Sequence, residues 1–293
     1  MTSAAELRSG KGHHDENFPV ASWLIHERHR PPILAFYEFV RVADDIADHS
    51  ALSAREKIDL LDRLEAGLLG RAEPEPVAAR LRAVLAERDL SPRHAQDLLT
   101  AFRMDATKLR YRDWDDLIHY CSYSAMPVGR FVLDVHGDSR STWPANDALC
   151  ASLQIINHVQ DCGKDYRNLD RVYIPEDALA RHRTSVEALA EPEASPELRN
   201  CLRDVMEHTV VLLRGAEYFS TQVNDLRFGL EIAVIYRVAQ TLTRRLLRRD
   251  PLSERVHLNK AEFAAMGIVG AVEGLGRRAG RWIGAGRHSA QDA

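Results

Sequence analysis

The sequence predicts an all-α protein. Three observations carry that reading. Apolar residues recur at helical spacing in one segment after another. No run of alternating β-branched residues bounded by Gly or Asn offers a strand. The 16 glycines and 12 prolines among 293 residues are few, as long helices joined by few tight turns require. Hydrophobic residues at 45% and charged residues at 28% are ordinary globular values, and a chain of this length buries a core without disulfide or metal staples. Neither an internal repeat nor a low-complexity tract divides it. One helical domain is expected over 16–285, after a polar, frayed tail over 1–15.

Helical character begins at Phe18. Pro31-Pro32 opens a helix through ILAFYEFVRVADDIADHS, about five turns long, with proline in the first turn, where its missing N–H is not needed. Leu34, Phe36, Tyr37, Val40 and Ile46 follow its 3.6-residue period in part. Ser53 with Glu56 reads as a capping box for AREKIDLLDRLEAGLL. After the loop GRAEPEP comes the short amphipathic VAARLRAVLAERD, and Ser91-Pro92 opens the next helix, through DLLTAFRMDATKL. Asp113 or Trp114 starts DDLIHYCSYSAMPVGRFVLDVHG, which Pro127 should kink or break. Residues 146–165 are expected as one long helix, followed by the polar connection YRNLDRVYIPED. The stretch RTSVEALAEPEASPELR is the candidate mobile loop. Helices resume over Leu198–Tyr218, Leu226–Arg248 and from Lys260, giving roughly ten in all.

Composition narrows the function. A net charge of −4 argues against a nucleic-acid partner bound through phosphate neutralisation. The four cysteines, Cys121, Cys150, Cys162 and Cys201, form no CxxC pair and are expected as reduced thiols in the cytoplasm. The N-terminus lacks the apolar run of a signal peptide, and no stretch is apolar enough to cross a membrane. Residues 237–293 hold eleven Lys and Arg against five Asp and Glu. Their clusters, Arg244-Arg245, Arg248-Arg249 and Arg277-Arg278, read first as solvated helix faces and second as contacts to anionic lipid at the inner face of the membrane.

Two acidic faces carry the chemistry. Asp44 and Asp48 stand four apart and stack on one helix face, with Asp45 about 100° round. Asn157, Asp161 and Asp165 form a second stripe, which Gln154 joins. Taken singly, each stripe reads equally well as a solvated polar face. Together, on two separate helices flanked by apolar sequence, they suggest a facing cluster of oxygen ligands. Such ligands suit a hard divalent cation: Mg²⁺ takes one or two carboxylates and completes its shell with water and substrate phosphate. No His or Cys stands at ligand spacing, which disfavours zinc, and His13, His14, His26 and His29 make no metal pattern. The chemistry suggested is diphosphate binding through Mg²⁺ and assistance to its departure.

Tyr37-x-x-x-Arg41-x-x-Asp44-Asp45-x-x-Asp48 and Gln154-x-x-Asn157-x-x-x-Asp161-x-x-x-Asp165 resemble the two aspartate-rich motifs of the squalene/phytoene synthase family. The likeness runs from about Asn17 to about Lys260 and takes in the Tyr123–Gly129 segment, the run Arg171-Val172-Tyr173-Ile174-Pro175 and Tyr236. The strings Glu16–Leu24, Arg30–Tyr37, Phe102–Cys121 and Ser124–Arg130 are similar to the branch of the family that makes hydroxysqualene. The resemblance implies a single-domain helical bundle of the class I isoprenoid (trans-prenyl) synthase type with a central cavity. It also implies a reaction. Presqualene diphosphate loses diphosphate with Mg²⁺ assistance, the cation rearranges, and water captures it as hydroxysqualene, a C30 product, without NADPH. Partner enzymes of squalene and hopanoid synthesis would surround it. Head-to-head condensation of two prenyl diphosphates, to presqualene diphosphate, squalene or phytoene, stays open, as does a non-catalytic helical assembly factor.

The resemblance also assigns roles. Asp44, Asp48, Asn157, Asp161 and Asp165 become metal ligands, and Asp45 supports them or forms an ion pair. Tyr37, Arg41, Gln154, Arg171, Tyr173 and Tyr236 become diphosphate and substrate contacts. A surface salt bridge remains the alternative for Arg41, and a core tyrosine for Tyr37 and Tyr236. Ala125, Met126, Val128, Gly129, Phe131 and Val132 would line the prenyl cavity, or simply pack helices. Trp114 and His119 read as core or rim residues. Three positions depart from the family pattern: Asn17 stands where Ser is frequent, Gln160 where Arg is common, and Lys164 where Glu is frequent. Loss of the cation at Gln160 suits an enzyme that takes one preassembled C30 diphosphate.

Overall fold

Among the described residues the chain forms twelve α-helices and no strand. The computed structural model describes residues 25–289, with side chains through residue 279. The expected tail over 1–15, His13, His14, Asn17, the helical start at Phe18 and the string Glu16–Leu24 lie outside the described residues.

The first four helices are α1 (Arg30–Asp48), α2 (Ala54–Leu68), α3 (Pro76–Glu87) and α4 (Arg93–Thr107). The apolar face of α1 is buried from Ile33 through Phe36, Phe39 and Val42 to Ile46, each large side chain contributing about 2 kcal/mol when fully withdrawn from water. Ser53 caps α2 reciprocally: its N–H donates to Glu56 Oε2 at 2.8 Å and its Oγ accepts from the Glu56 N–H at 3.3 Å. These helices enclose one hydrophobic core, to which Phe131 is added from outside.

A second, larger core is built by α5 (Trp114–Ser124), α6 (Met126–His136), α7 (Trp143–Gln160), α8 (Cys162–Leu169), α9 (Glu176–Arg181), α10 (Pro196–Arg214) and α11 (Leu226–Leu246). The last helix, α12 (Lys260–Ser289), packs along α11. The break expected near Pro127 falls at Ala125, which separates α5 from α6 and leaves Pro127 in the first turn of α6.

Two expectations need correction. Residues 146–165 are not one uninterrupted helix: α7 ends at Gln160, Asp161 lies at φ −103°, ψ 7°, and α8 begins at Cys162. The segment RTSVEALAEPEASPELR is pinned rather than loose. Leu189 is fully buried, its carbonyl accepts from Arg167 Nη1 at 3.3 Å, the Ala194 N–H donates to Asp250 Oδ2 at 2.9 Å, and Ser195 caps α10. One buried leucine and two polar anchors, one of them buried, outweigh its loop-like composition.

The two cores meet along a seam. Phe36 of α1 stacks on Phe131 of α6 with ring centroids 4.0 Å apart, a contact worth about 1 kcal/mol beyond the area it buries. His94 Nε2 lies 2.9 Å from Asp134 Oδ2. The four cysteines are free thiols, and burial pushes each up to about 12, which leaves them unreactive.

Candidate active site at the seam

Asp44, Asp45 and Asp48 occupy the last turns of α1, where unsatisfied carbonyls disfavour carboxylates. Arginines offset that cost. Arg41 Nη1 donates to Asp44 Oδ2 at 2.6 Å, and Nη2 donates to Asp45 Oδ1 at 2.9 Å. Arg171 Nη1 reaches Asp48 Oδ1 at 2.6 Å, and its Nη2 donates to the Ala47 carbonyl at 3.0 Å.

The second stripe survives the irregularity at Asp161. The Asp161 N–H still donates to Asn157 O at 2.9 Å, and the Asp165 N–H to Asp161 O at 2.8 Å, so the three side chains stay about one turn apart. Helix α8 then ends at Asp170, in the left-handed region at φ 51°, where Arg110 binds its carboxylate at 2.5 Å. That turn sends Arg171 back across the site. Its backbone N–H donates to the Asp165 carbonyl at 3.3 Å while its side chain holds Asp48. One residue therefore touches both stripes.

Electrostatics says the same. Burial and the nearby Asp48 charge push Asp44 up to about 7, against the pull of Arg41. Burial and Asp161 push Asp165 up to about 7, and Asp48 of the other stripe adds to the shift. Negative charge thus converges across the seam.

Beneath Arg171 lies a polar layer in which Tyr173 and Gln154 were expected as site residues but Asp105, Tyr120 and His158 were missed. Asp105 of α4 is buried and accepts from the Tyr120 hydroxyl at 3.0 Å and the Tyr173 hydroxyl at 3.1 Å. Burial raises it to about 6, while the Arg171 charge and the two hydroxyls pull the other way. Tyr173 stacks on His158, centroids 3.5 Å apart. Burial pushes His158 down to about 3, so the ring is neutral and its Nε2 accepts from Gln154 Nε2 at 3.0 Å. Lys57 of α2 also stands in the field of Arg171, Asp48 and Asp105, and burial lowers it. The signal for Asp105 was present: it continues the buried stripe of Leu98 and Ala101, where a carboxylate has no structural reason to be.

The squalene/phytoene synthase family model matches residues 11–262. The chain belongs to that family. It is 61% identical over 263 residues to a hydroxysqualene synthase of Rhodopseudomonas palustris, covering 90% of each chain. It is 54% identical over 279 residues to a hydroxysqualene synthase of Sinorhizobium fredii, covering 95% of this chain and 96% of the relative. Among solved structures, a squalene synthase from Alicyclobacillus acidocaldarius superposes with a TM-score of 0.71 at 27% identity, over 84% of this chain and 92% of that one.

Within this member of the family the other expected residues fall in two places. Tyr37 and Arg41 precede Asp44 by two turns and one on α1. Tyr236 is buried, but its polar contacts run to Gln240 and to Arg277, whose guanidinium lies 5.7 Å from its ring centroid, and Glu217 and Arg214 are the other charges nearby. Its cavity is lined by Glu217, Glu273 and Arg277 and by no residue of the two acidic stripes. Of the expected cavity lining, Phe131 packs on Phe36, and Gly129 lets α6 meet α7: a Cβ there would sit 1.9 Å from Asn146 Oδ1. Val128 is exposed. Trp114 packs against the larger core and faces His208.

The donor set fits magnesium used jointly with a substrate. Every candidate ligand is a hard oxygen. Among the described residues no three Asp, Glu, His or Cys side chains converge on one point. An ion that draws one or two carboxylates from the protein and the rest from water and diphosphate needs no such cluster.

Proposed function

We propose that the protein catalyses the hydroxysqualene synthase reaction, converting presqualene diphosphate and water to hydroxysqualene, diphosphate and a proton, in squalene and hopanoid biosynthesis. The observation that carries the reading is its near-full-length likeness to relatives that bear that name, at 61% and 54% identity. The intact pair of acidic stripes, tied by Arg171, supports it.

Asp44, Asp48, Asn157, Asp161 and Asp165 would hold Mg²⁺, which supplies positive charge to the departing diphosphate. Arg41, one turn before Asp44, presents a planar fork that suits phosphate oxygens. Arg171 holds the two stripes in register and adds a second guanidinium at the point where they meet. As the C–O bond breaks, its electron pair leaves with the diphosphate. The cyclopropylcarbinyl cation rearranges, water oxygen bonds to carbon, and the proton goes to solvent. Water rather than hydride ends the reaction, so NADPH is not required. A partner enzyme that assembles the C30 diphosphate would supply the substrate. The free thiols fit a reducing compartment, and the cytoplasm is the location we propose.

The test is product analysis of the purified protein. Given presqualene diphosphate and Mg²⁺ without NADPH, it should release hydroxysqualene. Conversion of farnesyl diphosphate alone, with presqualene diphosphate left untouched, would replace this reading by head-to-head condensation. Inertness toward both would leave an assembly factor.

A further inference from the structure

Over residues 261–279, helix α12 carries an outward face without a single charge among the described side chains. Gly270 and Gly274 press it onto α11, where a Cβ on the first would sit 2.7 Å from Val234 Cα and one on the second 2.8 Å from Ala233 Cβ. About half a turn away lie Ala261, Ala264, Ala265, Ile268, Val272 and Leu275, all exposed. Ile268 is 69% exposed, Val272 64% and Leu275 48%, so the face is apolar and no described residue covers it. The charges between residues 261 and 279 are all drawn back to the body of the protein. Glu262 pairs with Arg245, Glu273 with Arg237 and Arg277 with Glu217, and Arg278 donates to the Ser220 and Val223 carbonyls. Arg277-Arg278, read from sequence first as a solvated helix face and second as lipid-facing, is half-buried and turned toward the body of the protein.

A basic rim borders this face. Thr241, Arg244, Arg245, Arg248 and Arg249 line a notch of about 300 Å³. Thr241 bonds Met266 and Arg245 bonds Glu262, so the notch runs beside the first turns of α12. Glu262 and Glu254 engage Arg245 and Arg249, whereas Arg244 and Arg248 are exposed and have no acidic partner among the described residues.

The geometry points to α12 as a membrane-docking face: its apolar side lies in the surface of an anionic bilayer, and Arg244 and Arg248 meet the lipid headgroups. A charge-free helix side about 21 Å long with arginines at its edge is the pattern of an interfacial helix. No helix among the described residues is long and apolar enough to cross a membrane, so this one lies on it. Charge complementarity chooses lipid over a second copy of this chain, whose notch would bring arginines and no acidic counterpart. The proposed reaction explains only the use of the surface, delivery of a C30 hydrocarbon alcohol to lipid.

Flotation of the full-length protein with phosphatidylcholine vesicles, with and without phosphatidylglycerol, at low and high salt, tests the inference. Binding should require phosphatidylglycerol and weaken with salt. Ile268→Asp with Val272→Asp should lower partitioning about a hundredfold. Arg244→Gln with Arg248→Gln, which leaves every core contact in place, should lower it about thirtyfold, near fivefold per cation. Wild-type protein that ignores anionic vesicles, Asp variants that bind undiminished, or a dimer in sedimentation that the Asp substitutions dissociate would each overturn it. Turnover of detergent-dispersed presqualene diphosphate should be the same in all variants, so the docking surface and the reaction can fail separately.

Discussion

The two acidic stripes differ in how their charge is met. On α1 the helix is regular, and Asp44, Asp45 and Asp48 are paired with Arg41 or Arg171. At the α7–α8 junction the helix is interrupted, and among the described residues Asp161 and Asp165 have no ion-pair partner. The difference assigns the work. The first stripe is organised by arginine, whereas the second keeps its repulsion and would gain most from the proposed cation. Burial and the Asp161 charge push Asp165 up to about 7, a repulsion that a bound cation would relieve.

The comparison can be broken most directly at the unpaired stripe. Asp161→Ala should lower turnover about a thousandfold, the scale of a lost charge-stabilising element, with helical circular dichroism unchanged; near-native turnover would return the stripe to a solvated face. Next comes the link between stripes. Arg171→Ala strands Asp48 and should cost about 2 kcal/mol in urea unfolding, less than for a fully enclosed pair because Asp48 is 43% exposed. Turnover should also fall, about a hundredfold, and Arg171→Lys should recover stability better than activity, since one ammonium cannot replace the fork.

The stripes should also respond to pH together. Asp44 and Asp165 are both pushed up to about 7 and must shed protons to take a metal. The rise in melting temperature caused by Mg²⁺ with inorganic diphosphate should therefore be larger at about pH 8 than at about pH 6; an equal rise would mean other groups hold the ion. The smallest effect is on the metal-free protein. A carboxyl raised above its unfolded value binds its proton more tightly when folded, so its stability contribution falls as pH climbs from the ordinary carboxylate range to about 7. Asp165→Asn should match wild type near pH 4 and exceed it above about pH 7 by no more than about 1 kcal/mol in thermal unfolding, after allowance for solvent screening.

Local features were legible in the sequence because neighbours decide them. Ser53 and Glu56 announced their capping box, and Pro31-Pro32 opened α1. The interruption at Asp161 was not legible, because the backbone bonds from Asn157 to Asp161 and from Asp161 to Asp165 carry the helical spacing across it. Pairing at a distance was hidden as well: Arg171 meets Asp48 across 123 positions, and spacing alone gives no reason for it. Asp105 stood out as a carboxylate on the buried stripe of Leu98 and Ala101, but its partners Tyr120 and Tyr173 arrive from other elements and were hidden. The apolar residues of α12 were visible, but which side stays bare depends on how Gly270 and Gly274 seat it on α11.

The two acidic stripes belong to neither hydrophobic interior. They sit where two separately packed bodies abut, held by a guanidinium, a pair of stacked rings and a few polar bonds. A repacked leucine deep in either body that tilts a helix by a fraction of an ångström would therefore misalign the chemistry without touching it. The alignment of the two halves, more than the strength of either, is what selection on this enzyme must guard.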